Sequence, residues 1–333
     1  MSKNYYIIPV FISHQGCPHQ CVFCNQDRIA GVYYEVTAED VRERIDSYLD
    51  TMNTKNSTIE VSFFGGTFTA IPVIKQKELL AVAREYKNKG LIHKIRLSTR
   101  PDAINGYILS YLKEFKVDII ELGVQSLDDN VLRLAGRGHS AYDVENASRL
   151  IKAEGFTLGH QIMPGLPGDT KEIDLATIKK SIEMKPDIAR IYPALVIKDT
   201  PMETMYNRGE YEPYSLDMAV EVSREMLKLY NAAKVKVIRI GLQPTDTIAE
   251  GKDVVAGPFH PAFRELVEGS LICENIKEKT NESSDIIIEI NSKDISKLYC
   301  NKKQYFNEFK KNRHGKVFVK TVDKLKRGRV RVT

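Results

Sequence analysis

A chain of 333 residues with 42% hydrophobic and 28% charged side chains is long enough to bury a core without disulfide or metal staples. No apolar run approaches the roughly 20 residues of a membrane-spanning helix, and Tyr5–Ile12 near the N-terminus is too short and lacks a cleavage site, so no membrane contact is expected and the expected location is the cytoplasm. The net charge of +5 is unevenly divided. Residues 301–333 carry twelve basic and two acidic side chains, a net of +10, and removing them from the totals leaves 37 basic and 42 acidic residues, a net of −5. A basic tail on an acidic body suits a polyanion such as nucleic acid, and equally a solubilising tail.

Apolar, β-prone runs fall at Ile7–Ser13, Thr58–Phe64, Lys94–Thr99, Asp118–Val124, Phe156–Met163 and Ile188–Val196, with a seventh at Val235–Leu242. Segments of helical period lie between them at Ala38–Met52, Lys75–Asn88, Ile104–Phe115, Tyr142–Glu154 and Leu175–Met184; Thr37 and Thr170, each followed by acidic residues, are N-cap signals. Near-continuous apolar strands separated by helices predict parallel strands buried on both faces. Six such units in a row predict an α/β fold, a partial (β/α)6-type TIM barrel, over residues 1–245. Beyond Pro244 the pattern breaks at Pro258-Phe259-His260-Pro261. A helix over Phe263–Ile276, strands at Asp285–Ile290 and Lys316–Val322 and a basic helix near Lys303–Lys311 predict a small α+β extension over residues 246–333.

Three of the five cysteines fall within eight residues, in Gly16-Cys17-Pro18-His19-Gln20-Cys21-Val22-Phe23-Cys24, directly after the first strand. In a barrel the loops after the strands form the functional face. In a reducing compartment such clustering points to metal chemistry, and thiolates are soft ligands for iron–sulfur clusters and for zinc. Three ligands on a four-iron cluster leave one iron open to a small molecule; the alternative is a structural Cys3His zinc site completed by His19 or His14. Cys273 and Cys300 stand alone and are read as buried or incidental thiols rather than ligands of a second metal.

The spacing Cys17-x-x-x-Cys21-x-Phe23-Cys24, after the first strand of a six-unit β/α chain, resembles the signature of radical S-adenosylmethionine (SAM) enzymes. The resemblance implies a 4Fe–4S cluster on Cys17, Cys21 and Cys24, S-adenosylmethionine chelating the open iron, and Phe23 near the adenine. It also implies reductive cleavage of S-adenosylmethionine to a 5′-deoxyadenosyl radical, fed by a one-electron reductant of flavodoxin or ferredoxin type. Gly65-Gly66-Thr67, at the end of the second strand, resembles the family's Gly-Gly-Glu motif for the cofactor's amino group, with Thr67 in place of the acid; paired glycines let backbone approach a ligand. Ser98, Gln125 and Ser126 offer uncharged groups for ribose and methionine atoms. The resemblance assigns Arg137 to the cofactor carboxylate, and the position of Gln161 suits ribose, with Met163–Gly168 as a rigid turn against adenine. Arg190, Tyr192, Lys198, Arg239 and Gln243 are candidates for the substrate cavity.

More narrowly, Ser98–Asp102, Arg137-Gly138-His139, Met163–Gly168 and Ile191–Ile197 resemble the radical domain of the Elongator catalytic subunit, over residues 5–245. That resemblance implies a tRNA-modifying enzyme. Elongator-type proteins carry an acetyltransferase domain after this region; only some 60 residues follow Leu271 here, so acetyl transfer is not expected. Two alternatives stand beside it: a radical enzyme acting on a small metabolite or tetrapyrrole-like compound, and a non-enzymatic metal-containing RNA-binding protein.

Overall fold

The apolar runs pair in the order in which they occur along the chain. In the computed structural model, which describes residues 5–12, 17, 19–25, 35–52, 54–244, 248–249, 251–311 and 313–333, strands β1 (Tyr5–Ile12), β2 (Thr58–Gly65), β3 (Lys94–Thr99), β4 (Ile119–Gln125), β5 (Thr157–Ile162) and β6 (Ile188–Ile191) lie side by side. The next strand, β7 (Val196–Ile197), leaves this sheet, and β8 (Lys236–Ile240) completes it as the seventh strand. Every pairing is parallel, and the sheet curls into the expected partial barrel, one strand wider than the six-unit count. Ser13, His14, Gly16 and Pro18 lie outside the described residues.

Helices Ala38–Thr51, Val73–Asn88, Gly106–Glu114, Ala141–Ala153, Lys171–Glu183 and Leu216–Ala232 supply the outer layer. Both N-cap signals hold. Thr37 accepts the amide of Asp40, whose carboxylate returns a bond to the Thr37 amide, and Thr170 accepts the amide of Ile173; each such cap contributes about 1 kcal/mol. The period of two in β1 divides its side chains: Ile8, Val10 and Ile12 are buried beneath the helical layer, while Tyr5, Ile7, Pro9 and Phe11 face the lumen and stay partly open.

Strand six was expected to run on to Val196, but its ladder stops at Ile191. Tyr192 still donates to Ile162; Pro193 has no amide to continue the ladder. Val196 and Ile197 then form a two-stranded antiparallel ribbon with β9 (Val254–Ala256).

The lumen floor is polar. Register places Ser62 beside Arg96, and Glu121 beside both Ser98 and Gly159; Gly123 lies beside Gln161, and Gln161 beside Arg190. Arg96 lies between Glu60 (2.7 Å) and Glu121 (3.0 Å), and Arg190 contacts Glu121 at 2.7 Å and donates to the Tyr192 hydroxyl at 2.9 Å. Tyr5 and Ser62 also donate to Glu60. Burial alone raises the pKa of Glu121, and the guanidinium groups of Arg190 and Arg96 reverse this, leaving it below the ordinary carboxylate value. The site opposite Glu121 must be small: a Cβ on Gly159 would lie 2.6 Å from the Glu121 Cγ.

In the extension, β10 (Ile286–Ile290) lies between β11 (Val317–Thr321), which is parallel to it, and β12 (Val330–Val332), which is antiparallel. Helix Phe263–Glu278 serves two cores. Phe263, Leu266 and Val267 join the barrel core, and Ile272, Cys273 and Ile276 pack beneath the small sheet with Phe306 and Phe309. Cys273 is buried, as expected of a structural thiol, and burial raises its pKa to about 12. A division between residues 245 and 246 is kept as a proposal.

Arg96 has two buried carboxylates as partners, so Arg96→Leu leaves Glu60 without a cation and Glu121 with Arg190 alone. Urea unfolding is expected to show a loss of about 3–5 kcal/mol, the usual result of breaking a buried pair from one side. A loss below about 1 kcal/mol would mean that the ladder does not organise the floor.

Candidate functional site

The cysteine loop follows β1 and is held from two sides. On one side Val22 donates to the carbonyl of Ala135 (3.0 Å); on the other, Met202 donates to the carbonyl of Val22 (2.8 Å) and Asn25 reaches the carbonyl of Lys198 (3.3 Å). Gly138, at φ +71°, leaves room for the His19 ring of the loop. The left-handed backbone favours glycine, and a Cβ there would collide with the His19 ring. Val22 and Phe23 pack, half-buried, against a cluster containing Val131, Ala135, Leu166 and Met202. Phe23 thus shares an apolar cluster with Met163 and Leu166, both from the turn after β5.

The three thiols have different surroundings. Cys17 is exposed and its sulfur lies 3.3 Å from the hydroxyl of Thr67, which is itself buried. Cys21 is buried and accepts a hydrogen bond from Arg137 Nη1 at 3.2 Å. Cys24 is half-buried, and its amide donates to the carbonyl of Cys21. Among the described residues no three His, Cys, Asp or Glu side chains are gathered at metal-holding distances. His19 is exposed on the loop, and His14 lies outside the described residues.

Gly65 and Gly66 lie against the end of β1. Gly65 has φ +104°, a Cβ there would sit 2.8 Å from the carbonyl oxygen of Ile12, and Gly66 donates to that oxygen at 2.7 Å. Arg137 is buried; it donates to the carbonyl of Gly123 at 2.7 Å, and its own carbonyl accepts from Arg100, which Asp102 holds at 2.9 and 3.0 Å. Gln125 ends β4 in the left-handed region at φ +67°, a strained conformation for a residue with a side chain. Both side chains flank Gly123. Among the described residues the Nε of Arg137 and the Oε1 of Gln125 are buried without a hydrogen-bond partner. His139 is held neutral: burial, then the charges of Arg137 and Arg100, lower its pKa to about 3.

The other predicted residues divide. Ser98 and Gln161 are half-buried on the lumen side, level with Glu121 and with Arg190 respectively. The hydroxyl of Ser126 instead accepts the amide of Asp128 and lies 3.3 Å from Thr177, on the helical side. Arg239 donates to Gln243 at 2.7 Å, and Lys198 is exposed.

Sequence reasoning missed an acidic pair formed by half-buried Asp169 on the turn after β5 and buried Asp174 in the first turn of the next helix. The carboxyl groups of Asp169 and Asp174 lie against each other; Tyr214 donates to Asp174 at 2.9 Å, and Tyr211 to the carbonyl of Gly165 at 2.6 Å. Burial raises the pKa of Asp169 to about 6, and that of Asp174 also rises, through burial and then the Asp169 charge. Their five-residue separation across a helix N-cap gives no hint of this in the sequence.

A seven-stranded partial barrel that carries a three-cysteine loop after its first strand is the architecture of an α/β enzyme. Residues 11–179 match the Radical SAM superfamily, and residues 186–272 match the Radical_SAM C-terminal domain. The chain belongs to the radical SAM superfamily. It is 30% identical over 255 residues to the tRNA uridine(34) acetyltransferase of Methanocaldococcus infernus, covering 65% of this chain and 48% of that protein. It is 27% identical over 267 residues to human Elongator complex protein 3, covering 67% and 49%. The chain therefore spans about half the length of these curated relatives. The solved structure of the archaeal M. infernus Elp3 superimposes with a TM-score of 0.65 at 25% identity, covering 84% of this chain and 64% of that one. Methylornithine synthase shares the fold, with a TM-score of 0.52 at 17% identity over 80% and 86% of the two chains. Among the described residues no helix is long and apolar enough to cross a membrane.

The acidic pair makes a pH prediction. A carboxyl whose pKa is raised on folding stabilises the protonated, acidic side and loses that stabilisation as pH rises through its folded value. The melting temperature of the wild type is therefore expected to fall relative to Asp169→Asn as pH is raised through about 6. Parallel curves for the two proteins would show that the Asp169 carboxyl is not raised on folding.

Proposed function

We propose that this chain is a radical SAM enzyme that holds a 4Fe–4S cluster on Cys17, Cys21 and Cys24, cleaves S-adenosylmethionine reductively and acts on RNA, tRNA first, in the reducing cytoplasm. The observation that carries the proposal is the docking of a three-thiol loop onto the turn that presents Arg137, whose guanidinium touches the Cys21 sulfur. The residues suit both groups. Three soft thiols form an iron–sulfur donor set, and the unpartnered Nε of Arg137 and Oε1 of Gln125 are a buried donor and acceptor beside it. When bound, the reduced cluster supplies one electron that opens the S–C5′ bond of S-adenosylmethionine to a 5′-deoxyadenosyl radical.

The chain's own part is to bind and orient. The Gly65-Gly66 backbone and Thr67 face the cofactor's amino group, and Arg137 takes its carboxylate. Ser98, Gln125, Ser126 and Gln161 serve its ribose and methionine atoms, Ser126 through its backbone. Phe23 and the Met163–Gly168 turn hold the adenine. The lumen floor, neutralised by the ion ladder that includes Arg190, and the residues Tyr192, Lys198, Arg239 and Gln243 position the substrate and keep water from the radical. A flavodoxin- or ferredoxin-type protein donates the electron. The RNA assignment is supported by the tRNA named in the acetyltransferase relative and by the net of +10 in residues 301–333.

Anaerobic reconstitution with iron and sulfide, followed by reduction, is expected to give a protein that forms 5′-deoxyadenosine from S-adenosylmethionine. Cys24→Ala should lose both bound iron and product. Arg137→Lys keeps the charge but loses the planar fork, and is expected to raise the KM for S-adenosylmethionine about tenfold with iron content unchanged. A protein that binds zinc and forms no 5′-deoxyadenosine would overturn the proposal.

A further inference from the structure

The basic tail divides into two halves with different surroundings. In the helix Cys300–Lys311 and just beyond it, cations lie over aromatic rings: Lys303 over Tyr299, Lys310 over Phe306 and Arg313 over Phe309, at 5.0, 5.7 and 5.2 Å from the ring centres. The second half, residues 316–333, carries seven basic residues and one acidic residue. There Arg331 pairs with Glu289 and Arg327 approaches Asp294. Among the described residues Lys320, Lys324, Lys326 and Arg329 are exposed and form no ion pair.

These cations surround an unpartnered sheet face. Ile286, Ile288 and Ile290 point into the core below, so the alternate residues of the sheet point outward. Phe318 and Ile287 are paired across β10 and β11 on that outer face and are 55% and 43% exposed, with Lys320 and Arg331 flanking Glu289 one pair further along. The β11–β12 loop that carries Lys324 and Lys326 is fixed in place: Asn291 donates to the carbonyls of Asp323 and Leu325 at 3.0 and 2.8 Å, and Gly328 donates to Asp294 at 2.7 Å. A tail kept only for solubility needs neither a fixed loop nor a phenylalanine facing water.

We propose that the outer face of the β11-β10-β12 sheet binds a single-stranded segment of RNA. One base stacks on Phe318 against Ile287, and the backbone phosphates run along Lys320, Lys324, Lys326 and Arg329. A flat aromatic face with cations at its margin matches an unpaired base and its phosphates. A duplex offers the phosphates but no free base face, and an acidic protein segment offers charge but no ring to stack. The fixed loop lowers the ordering cost of binding. This inference rests on the RNA part of the function proposed above and assigns it a surface separate from the cysteine loop.

The test is fluorescence anisotropy of the full chain with a labelled single-stranded RNA of about 12 nucleotides, within the usual site sizes, and with the matching duplex, over a salt series. Phe318→Ala is expected to weaken single-strand binding about tenfold without changing the salt slope, as loss of one stacked base does. It should leave duplex binding unchanged, and Phe318→Trp should restore the affinity. The triple variant Lys324→Ala/Lys326→Ala/Arg329→Ala is expected to reduce the salt slope by about 2, since each phosphate no longer neutralised on a single strand lowers it by about 0.7. Wild-type binding with Phe318→Ala within about twofold of it would overturn the inference and leave the RNA substrate standing. Competition by polyglutamate as strong as by RNA would reassign the face to an acidic protein. An absence of RNA binding by the wild type would overturn both the inference and the RNA assignment, while 5′-deoxyadenosine formation, measured separately, would still test the cofactor chemistry.

Discussion

Glu60, Arg96, Glu121 and Arg190 neutralise one another inside a parallel sheet, and the arrangement above them depends on that ladder. Removing such ions from water costs several kcal/mol each, which their mutual attraction offsets only when all the partners are present. Their contribution is to specificity more than to stability. A slip of one residue in any of the strands β2, β3, β4 or β6 would turn a charge toward the apolar helical layer. Gly159 completes the constraint on β5 by leaving room for the Glu121 side chain. With register fixed across these strands, their C-terminal ends stand at set heights around the cysteine loop.

The loop itself is too short to be self-supporting, and its shape is borrowed from neighbours distant in sequence. The turn at Ala135–Gly138 and the segment Lys198–Met202 grip it from opposite sides, and Arg137 joins the sulfur of Cys21 to the backbone of β4. Thr67 has a clear physical effect where the family pattern places an acid. A carboxylate there would set a negative charge beside a thiolate at Cys17, whereas a hydroxyl can donate a hydrogen bond to it.

The barrel was legible because strands covered on both faces become continuous apolar runs, and a parallel sheet separates those runs with helices. The loop stood out in the sequence because three soft ligands within eight residues are rare outside metal and redox sites. Strand six was overextended, since Tyr192–Ile197 stays apolar whether it pairs in the sheet or folds beside it, and only Pro193 hinted at the break. Helix Leu216–Ala232 was missed although Ser215 caps it and its apolar residues repeat at helical spacing. The ladder left a trace, one charged residue inside each of four apolar runs, but a trace of that kind shows pairing only once register is known. Ser126 faced the other way because side chains beyond a strand's last paired residue no longer alternate predictably. The Asp169–Asp174 pair depends on a turn whose path the sequence does not specify.

The electrostatics separate attraction from selection. The ladder brings two acids and two bases together at no net charge, so the lumen floor exerts little pull on a distant anion. The remainder of the body is mildly acidic and repels a phosphate backbone at long range. On the RNA reading proposed above, attraction falls to the last eighteen residues, whose cations stand on a fixed sheet and loop, whereas Lys303 and Lys310 of the preceding helix lie over aromatic rings. An RNA captured there would be held by its phosphates, which carry no information about its reacting atom. Discrimination is left to the neutral, shaped lumen, where interactions are short, dry and unscreened by salt. On this division, changes in the tail alter how often substrate arrives, and changes in the lumen alter which atom reacts.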